Sequence, residues 1–328
     1  MVVLAAITVL PVSASLVVAS VVSAAPVAAS VVSASPLAGV PFAAAPAAVD
    51  AGVQSAVDAS VDEAAADGIQ QSVAVVDRDS GATVAVRDGD SPYISESIVK
   101  LFTVAYYDTQ VGGHPDADLA DRLRTMIISS DDRIESSLWN TSIVPAMAAR
   151  YGLAHTGNGA RTGPHDWGWE TITAADEAHF LYEMSNDPQV APQLMPAMAD
   201  VAPVGADGFD QHFGANALTG DHGSKQGWTD VGSSDRIQIH SVGWTGRYFL
   251  AILQTSTVAD DDAMRAAATR TARAVQAGGS NTPPAAGRSA APPIPTTDTD
   301  PELRAAAAAI DAKIRAGVLA LSTLAELW

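Results

Sequence analysis

A chain of 328 residues that is 48% hydrophobic can bury the core of one large domain or two small ones. Its formal net charge of −19 excludes a surface built to attract nucleic acid or an anionic membrane. With no cysteine, the sequence holds no disulfide framework, thiolate nucleophile, Cys-ligated zinc or lipid-modified cysteine.

Residues 1–49 carry no charged side chain and are almost entirely Ala, Val, Ser, Leu and Pro. Their apolar runs and small-residue sites have the composition of an export signal or membrane-tethering leader, without its usual basic start. From Asp50, a good N-cap residue, Val53, Ala56, Val57, Val61, Ala64 and Ala65 recur at helical spacing and predict a helix to about residue 68. Val-rich runs over 72–77 and 82–87 flank Arg78-Asp79-Ser80-Gly81, which predicts an antiparallel hairpin with Gly81 at a positive φ. A second helix begins at Ser97 and is apolar on most of its faces. Helical patterns follow over 119–139 and 173–184, separated by a Gly- and Trp-rich loop at 152–170.

Strand patterns return over 225–229, 236–242 and 247–255, the last two joined by a turn at Gly243-Trp244-Thr245-Gly246. A helix over 259–277 opens on Asp260, Asp261 and Asp262 and carries Arg265, Arg270 and Arg273 further along, the polarity a helix dipole favours. Beyond it lie a Pro/Thr/Ala linker at 279–300 and a helix with one apolar face at 301–328, opened by Asp300-Pro301. These elements predict an α+β domain over 50–278. Five antiparallel strands form one sheet flanked by N- and C-terminal helices, and an all-helical subdomain is inserted between strands two and three. A crevice between sheet and helical block is the natural ligand site.

The chain has three lysines among eighteen Lys and Arg residues, so a lysine that survives the preference for Arg is of interest as a base. Lys100 closes Ser97-Ile98-Val99-Lys100. That spacing alone occurs by chance in roughly one such chain in four. On a helix, however, Lys100 lies one turn behind Ser97 on the same face, among apolar neighbours that favour its neutral amine. The plain alternative is an N-cap serine beside a surface lysine. Ser130-Asp131-Asp132 follows a helical pattern and reads equally as a helix cap. Lys225-Gln226-Gly227 sits on the third strand. Trp167, Trp169, Trp228 and Trp244 read as core or as a platform for sugar faces. The seven His residues show no metal-ligand spacing, and no metal or cofactor is expected.

In this order the three elements resemble the Ser-x-x-Lys, Ser-Asp-Asn and Lys-Thr-Gly signature of the serine β-lactamases and penicillin-binding proteins. With the hairpin at 74–83 and the run at 95–102, the span from Asp50 to Gly278 is similar to the class A β-lactamase-like branch. The resemblance implies an exported serine hydrolase that forms an acyl-enzyme on Ser97 with a β-lactam or an acyl-D-alanine amide such as a peptidoglycan stem peptide. By position, Lys100 is the base or proton relay, and Ser130 passes a proton to the leaving nitrogen. Lys225 holds the substrate carboxylate as an ammonium and polarises Ser130. The N–H groups of Ser97 and Trp228 form the oxyanion hole, and Gln226, Gly227 and Thr229 line the substrate edge.

The departures from that signature matter as much. Asp132 replaces an Asn that donates to the substrate carbonyl, and an ionised Asp only accepts. Gln226 replaces Thr, and the span from Ser97 to Ser130 is shorter than usual. In the loop over 152–173, Asp166 and Glu170 are the candidates for positioning a water, but the customary Glu-Pro context is absent. An Arg161–Glu170 ion pair bracing the loop is the favoured expectation, and slow deacylation follows from it. The rival reading is a non-catalytic member that keeps the cleft to bind cell-wall peptides or a protein partner. A third, chance motifs on an unrelated domain, fails if Ser97, Ser130 and Lys225 converge on one pocket.

Overall fold

The computed structural model describes residues 49–280 apart from 162, 164, 165 and 230–235. The expected C-terminal helix, and nearly all of the expected leader and linker, lie outside the described residues.

Helix α1 (Ala51–Ala66) is capped by Asp50, whose carboxylate accepts from the N–H groups of Gly52 and Val53. Its stripe of Val53, Val57, Val61 and Ala64 is buried. Strands β1 (Gln70–Asp77) and β2 (Thr83–Arg87) form the expected hairpin, with Gly81 at φ 72°. After β3 (Tyr93–Ile94), a 3-10 turn at Glu96–Val99 leads into α2 (Lys100–Gln110).

The helical pattern over 119–139 is two helices, α3 (Ala117–Ser129) and α4 (Asp132–Leu138), divided at the cap signal of Ser130-Asp131-Asp132. The break is Ser130, which takes left-handed φ and ψ of 56° and 40°. Helix α5 (Ile143–Tyr151), β4 (Thr171–Ile172), α6 (Ala174–Ser185) and α7 (Ala191–Ala199) complete the middle. The sequence reading missed α5 and α7, and Pro196 inside α7 masks that helix, because proline normally ends one.

Strands β5 (His222–Trp228), β6 (Ile237–Thr245) and β7 (Tyr248–Ser256) precede α8 (Asp261–Ser280), which overruns the expected domain edge at 278. The β6–β7 turn sits later than expected. Gly243 and Trp244 remain in the strand, and the register places Thr245 opposite Tyr248.

The sheet is antiparallel in the order β2-β1-β7-β6-β5. Side chains of a strand alternate between faces, and here both faces are covered. Val73, Val75, Leu250 and Ile252 pack on the side of α1 and α8. Ala74, Val76, Phe249, Ala251 and Leu253 pack with Phe102, Phe180 and the helical block. β5 is therefore an edge strand whose open side faces the block.

Candidate active site

Ser97 does not begin an α-helix. It lies in the 3-10 turn, and no side chain caps that turn, so the N-cap reading of Ser97 fails. The entry to the turn is pinned by Ser95 N–H, which donates to Glu170 O at 2.7 Å. Glu96, just before the serine, takes a left-handed φ of 46°, a conformation costing roughly 1 kcal/mol or more for a residue with a Cβ. Thr229 Oγ1 donates to its carboxylate at 2.9 Å and ties this strained residue to the end of β5. A Cβ on Gly227 would stand 3.2 Å from Glu96 Cβ, Ile98 Cγ1 and Ser95 O. The close approach of the serine turn thus leaves a side chain at 227 little room, a reason the sequence reading did not supply.

Around the serine the polar groups form one network. Lys100 Nζ donates to Ser97 Oγ at 2.7 Å, to Ser130 Oγ at 3.1 Å and O at 3.0 Å, and to Asp132 Oδ1 at 2.5 Å. Lys225 Nζ donates to Ser130 Oγ at 2.9 Å and to Gln226 O at 2.7 Å. Ser97, Ser130 and Lys225 therefore converge, which removes the reading of chance motifs. Capping of α4 falls to Asp131, which accepts from the N–H groups of Arg133 and Ile134, and this leaves Ser130 Oγ to the two lysines.

The charge distribution differs from the expected one. Both lysines are fully buried, but Lys100 has a carboxylate partner in Asp132. Burial drives Lys225 well toward its neutral form, and the neighbouring Lys100 charge pushes the same way. A second rung lies one turn deeper, where Thr103 Oγ1 donates to Glu135 Oε1 at 2.8 Å. Glu135 is fully buried, its Oε2 has no partner, and desolvation raises its pKa to about 7 against the pull of Lys100. Sequence reasoning missed Glu96, Thr103 and Glu135. The signal for the second rung was the equal offset of 100 to 132 and 103 to 135, visible only once α2 and α4 are known to lie side by side.

On β5 the outcome is mixed. Thr229 N–H donates to Gln238 O at 3.1 Å, so the alternation of an antiparallel pair turns the N–H of Trp228 toward the open edge, where an oxyanion donor is required. The Gln226 side chain points away from the crevice, donating to Ser224 Oγ at 2.9 Å and to Phe213 O at 3.4 Å. Its carbonyl, and not its amide side chain, is what meets Lys225. Trp228 is buried and stacks on Phe209 at 4.5 Å, and Trp244 is also buried, so the four tryptophans form no shared platform.

The loop holds two further corrections. No Arg161–Glu170 ion pair forms. Glu170 Oε2 instead accepts from Gly159 N–H at 3.0 Å, while the Arg161 guanidinium lies 3.5 Å over the Trp169 ring. Nor is either candidate carboxylate hydrogen-bonded to the serine network, since Asp166 Oδ2 accepts from Gly163 N–H at 2.9 Å. The loop residue that does reach the network is Trp167, whose ring lies 4.6 Å from Lys100 Nζ and whose Nε1–H donates to Ser136 Oγ at 3.1 Å.

Comparison with solved structures identifies the fold as that of the class A β-lactamases. A class A enzyme from Bacteroides cellulosilyticus DSM 14838 superposes with a TM-score of 0.56 at 16% identity, over 69% of this chain and 98% of its own. A β-lactamase from Sphaerobacter thermophilus DSM 20745 gives 0.54 at 19% identity, over 70% and 99%. A scan against protein-family models finds no match. At the level of sequence, the "Putative lipoprotein LppW" of Mycobacterium tuberculosis (strain ATCC 25618 / H37Rv) is 32% identical over 232 residues, 65% of this chain and 71% of the relative. The Mycobacterium bovis protein of that name matches to the same extent. The chain belongs to the LppW family.

Proposed function

We propose that this protein is a serine hydrolase of the cell envelope that is acylated on Ser97 by β-lactam or acyl-D-alanine-type amides and deacylates slowly. The observation that carries the proposal is the unbroken path from Ser97 Oγ through Lys100 Nζ and Ser130 Oγ to Lys225 Nζ, every link between 2.7 and 3.1 Å. In acylation, Lys100 passes a proton through Ser130 Oγ to Lys225, which burial presses toward its amine form, and Ser97 Oγ attacks the carbonyl carbon as it gives its own proton to the amine left on Lys100. The developing oxyanion is met by the Trp228 and Ser97 N–H groups, each worth about 3 kcal/mol in such sites. When the C–N bond breaks, Ser130 hands its proton to the departing nitrogen and recovers one from Lys100, so the proton lost by the serine ends on the leaving group. The class A fold and the name of the mycobacterial relatives support the envelope assignment, as does the apolar leader.

Slow deacylation is supported by the loop. Its carboxylates are bonded to loop amides, and the Trp167 ring covers the lysine. Nitrocefin followed by rapid mixing should therefore show a burst of about one equivalent and then a steady rate far below it. Sustained turnover from the first second would refute the slow step. Complete absence of a burst would favour the rival reading, a binder of cell-wall peptides, for which Asp132 is the chief support.

A further inference from the structure

We propose that Asp132 makes this crevice selective for acyl donors that carry an ammonium group on the acyl side of the scissile carbonyl. The inference rests on the Ser97 reading above and narrows it to a substrate class. Asp132 Oδ1 and Ser97 Oγ are both held by Lys100 Nζ, at 2.5 and 2.7 Å, so the carboxylate lies within two hydrogen-bond lengths of the attacking oxygen. The two lysine side chains of the network are fully buried, whereas the Asp132 side chain is 52% exposed. The exposed charge nearest Ser97 on this wall is the Asp132 carboxylate, and the neighbouring Arg133 guanidinium is paired with Asp131. One Asp132 oxygen is engaged by Lys100, and the remaining lone pairs accept and cannot donate.

The facing wall has the same character. Glu96 accepts from Thr229 Oγ1 at 2.9 Å, so a carboxylate stands at the end of β5 beside the serine turn. Lys225, expected to receive a substrate carboxylate, is sealed in the interior, and burial favours its uncharged form. The Gln226 side chain faces away. A carbonyl oxygen beside Asp132 meets another acceptor, while an ammonium gains a charge-assisted hydrogen bond. The net charge of −19 draws such a ligand in.

Ampicillin and benzylpenicillin differ by one amino group next to the side-chain carbonyl and make a matched pair of probes. At about pH 6, where an α-amino group is protonated, ampicillin is expected to acylate the wild-type protein roughly tenfold faster, and added salt should erode that preference. Asp132→Asn should bring the ratio to one or below. Equal rates with the wild type, or a ratio that Asp132→Asn leaves unchanged, would overturn the inference. A second measurement separates it from the acyl-enzyme reading. In Ser97→Ala, thermal shift should still favour ampicillin over benzylpenicillin. A preference there with no adduct on the wild type sinks the Ser97 chemistry and keeps the specificity. No preference in either assay sinks the specificity.

Discussion

Lowering the pH from about 8 to about 5 is expected to stabilise this protein, the reverse of the usual effect of acid. Asp108, Glu135 and Glu170 are buried, and desolvation raises each to about 7; burial also raises Glu177 well above the usual carboxylate range. Asp108 and Glu177 have no hydrogen-bond partner for either carboxylate oxygen. A carboxyl group whose folded pKa lies above its unfolded value stabilises the fold below the unfolded pKa, and that contribution is lost as pH rises through the folded one. Two groups oppose them. Lys225 is fully buried and held well below its ordinary value, so it adds stability as pH rises through its folded pKa. His240 is buried, bonded to Ile94 O and to Gln254 N–H, and desolvation depresses it to about 4, so its contribution disappears as pH falls from about 6.5 toward 4. Four carboxyl groups outweigh one imidazole and one amine, and the melting temperature should fall from pH 5 to pH 8. Asp108→Asn should flatten the profile. A melting temperature that rises steadily from pH 5 to 8 would show that these carboxyls find partners in solution.

Lys100→Met should slow acylation by a factor of about 10² to 10⁴, the usual worth of a positioned proton acceptor. Stability should fall by about 1–3 kcal/mol. Methionine fills the volume, but the buried Ser130 carbonyl loses a donor that methionine cannot supply. Asp132, half exposed, regains water when its partner is removed. Labelling kinetics with a fluorescent penicillin, read beside a melting curve, check both halves. Near-native labelling by Lys100→Met would transfer the base role to Lys225, whose amine reaches Ser130 Oγ and is pressed toward neutrality.

Much of the fold was legible in the sequence because its signals are local. Asp50 caps α1 as its side chain suggests, and Gly81 turns the first hairpin. Strand β7, buried along its whole length, reads as a continuous apolar run with no period, so its type came from length and flanking turns. The break at 130–132 was legible as a cap signal, but the left-handed φ and ψ of Ser130 were not, because nothing local gives a serine that preference. The site was legible in its residue types but not in its charges. Nothing local indicates that Asp132 would pair with Lys100, that Gln226 would turn its side chain away, or that Glu135 would be buried one turn below. The ion pair expected for Arg161 was displaced by a stacking partner, since the loop gives the guanidinium an indole face and gives Glu170 a backbone amide.

Intact-mass spectrometry after incubation with ampicillin tests the acyl-enzyme most directly. Opening a β-lactam ring leaves both fragments attached, so the expected result is one adduct of the full mass of the antibiotic, mapped to the peptide bearing Ser97 and missing from Ser97→Ala. No adduct at saturating antibiotic, or one that persists in Ser97→Ala, would contradict it.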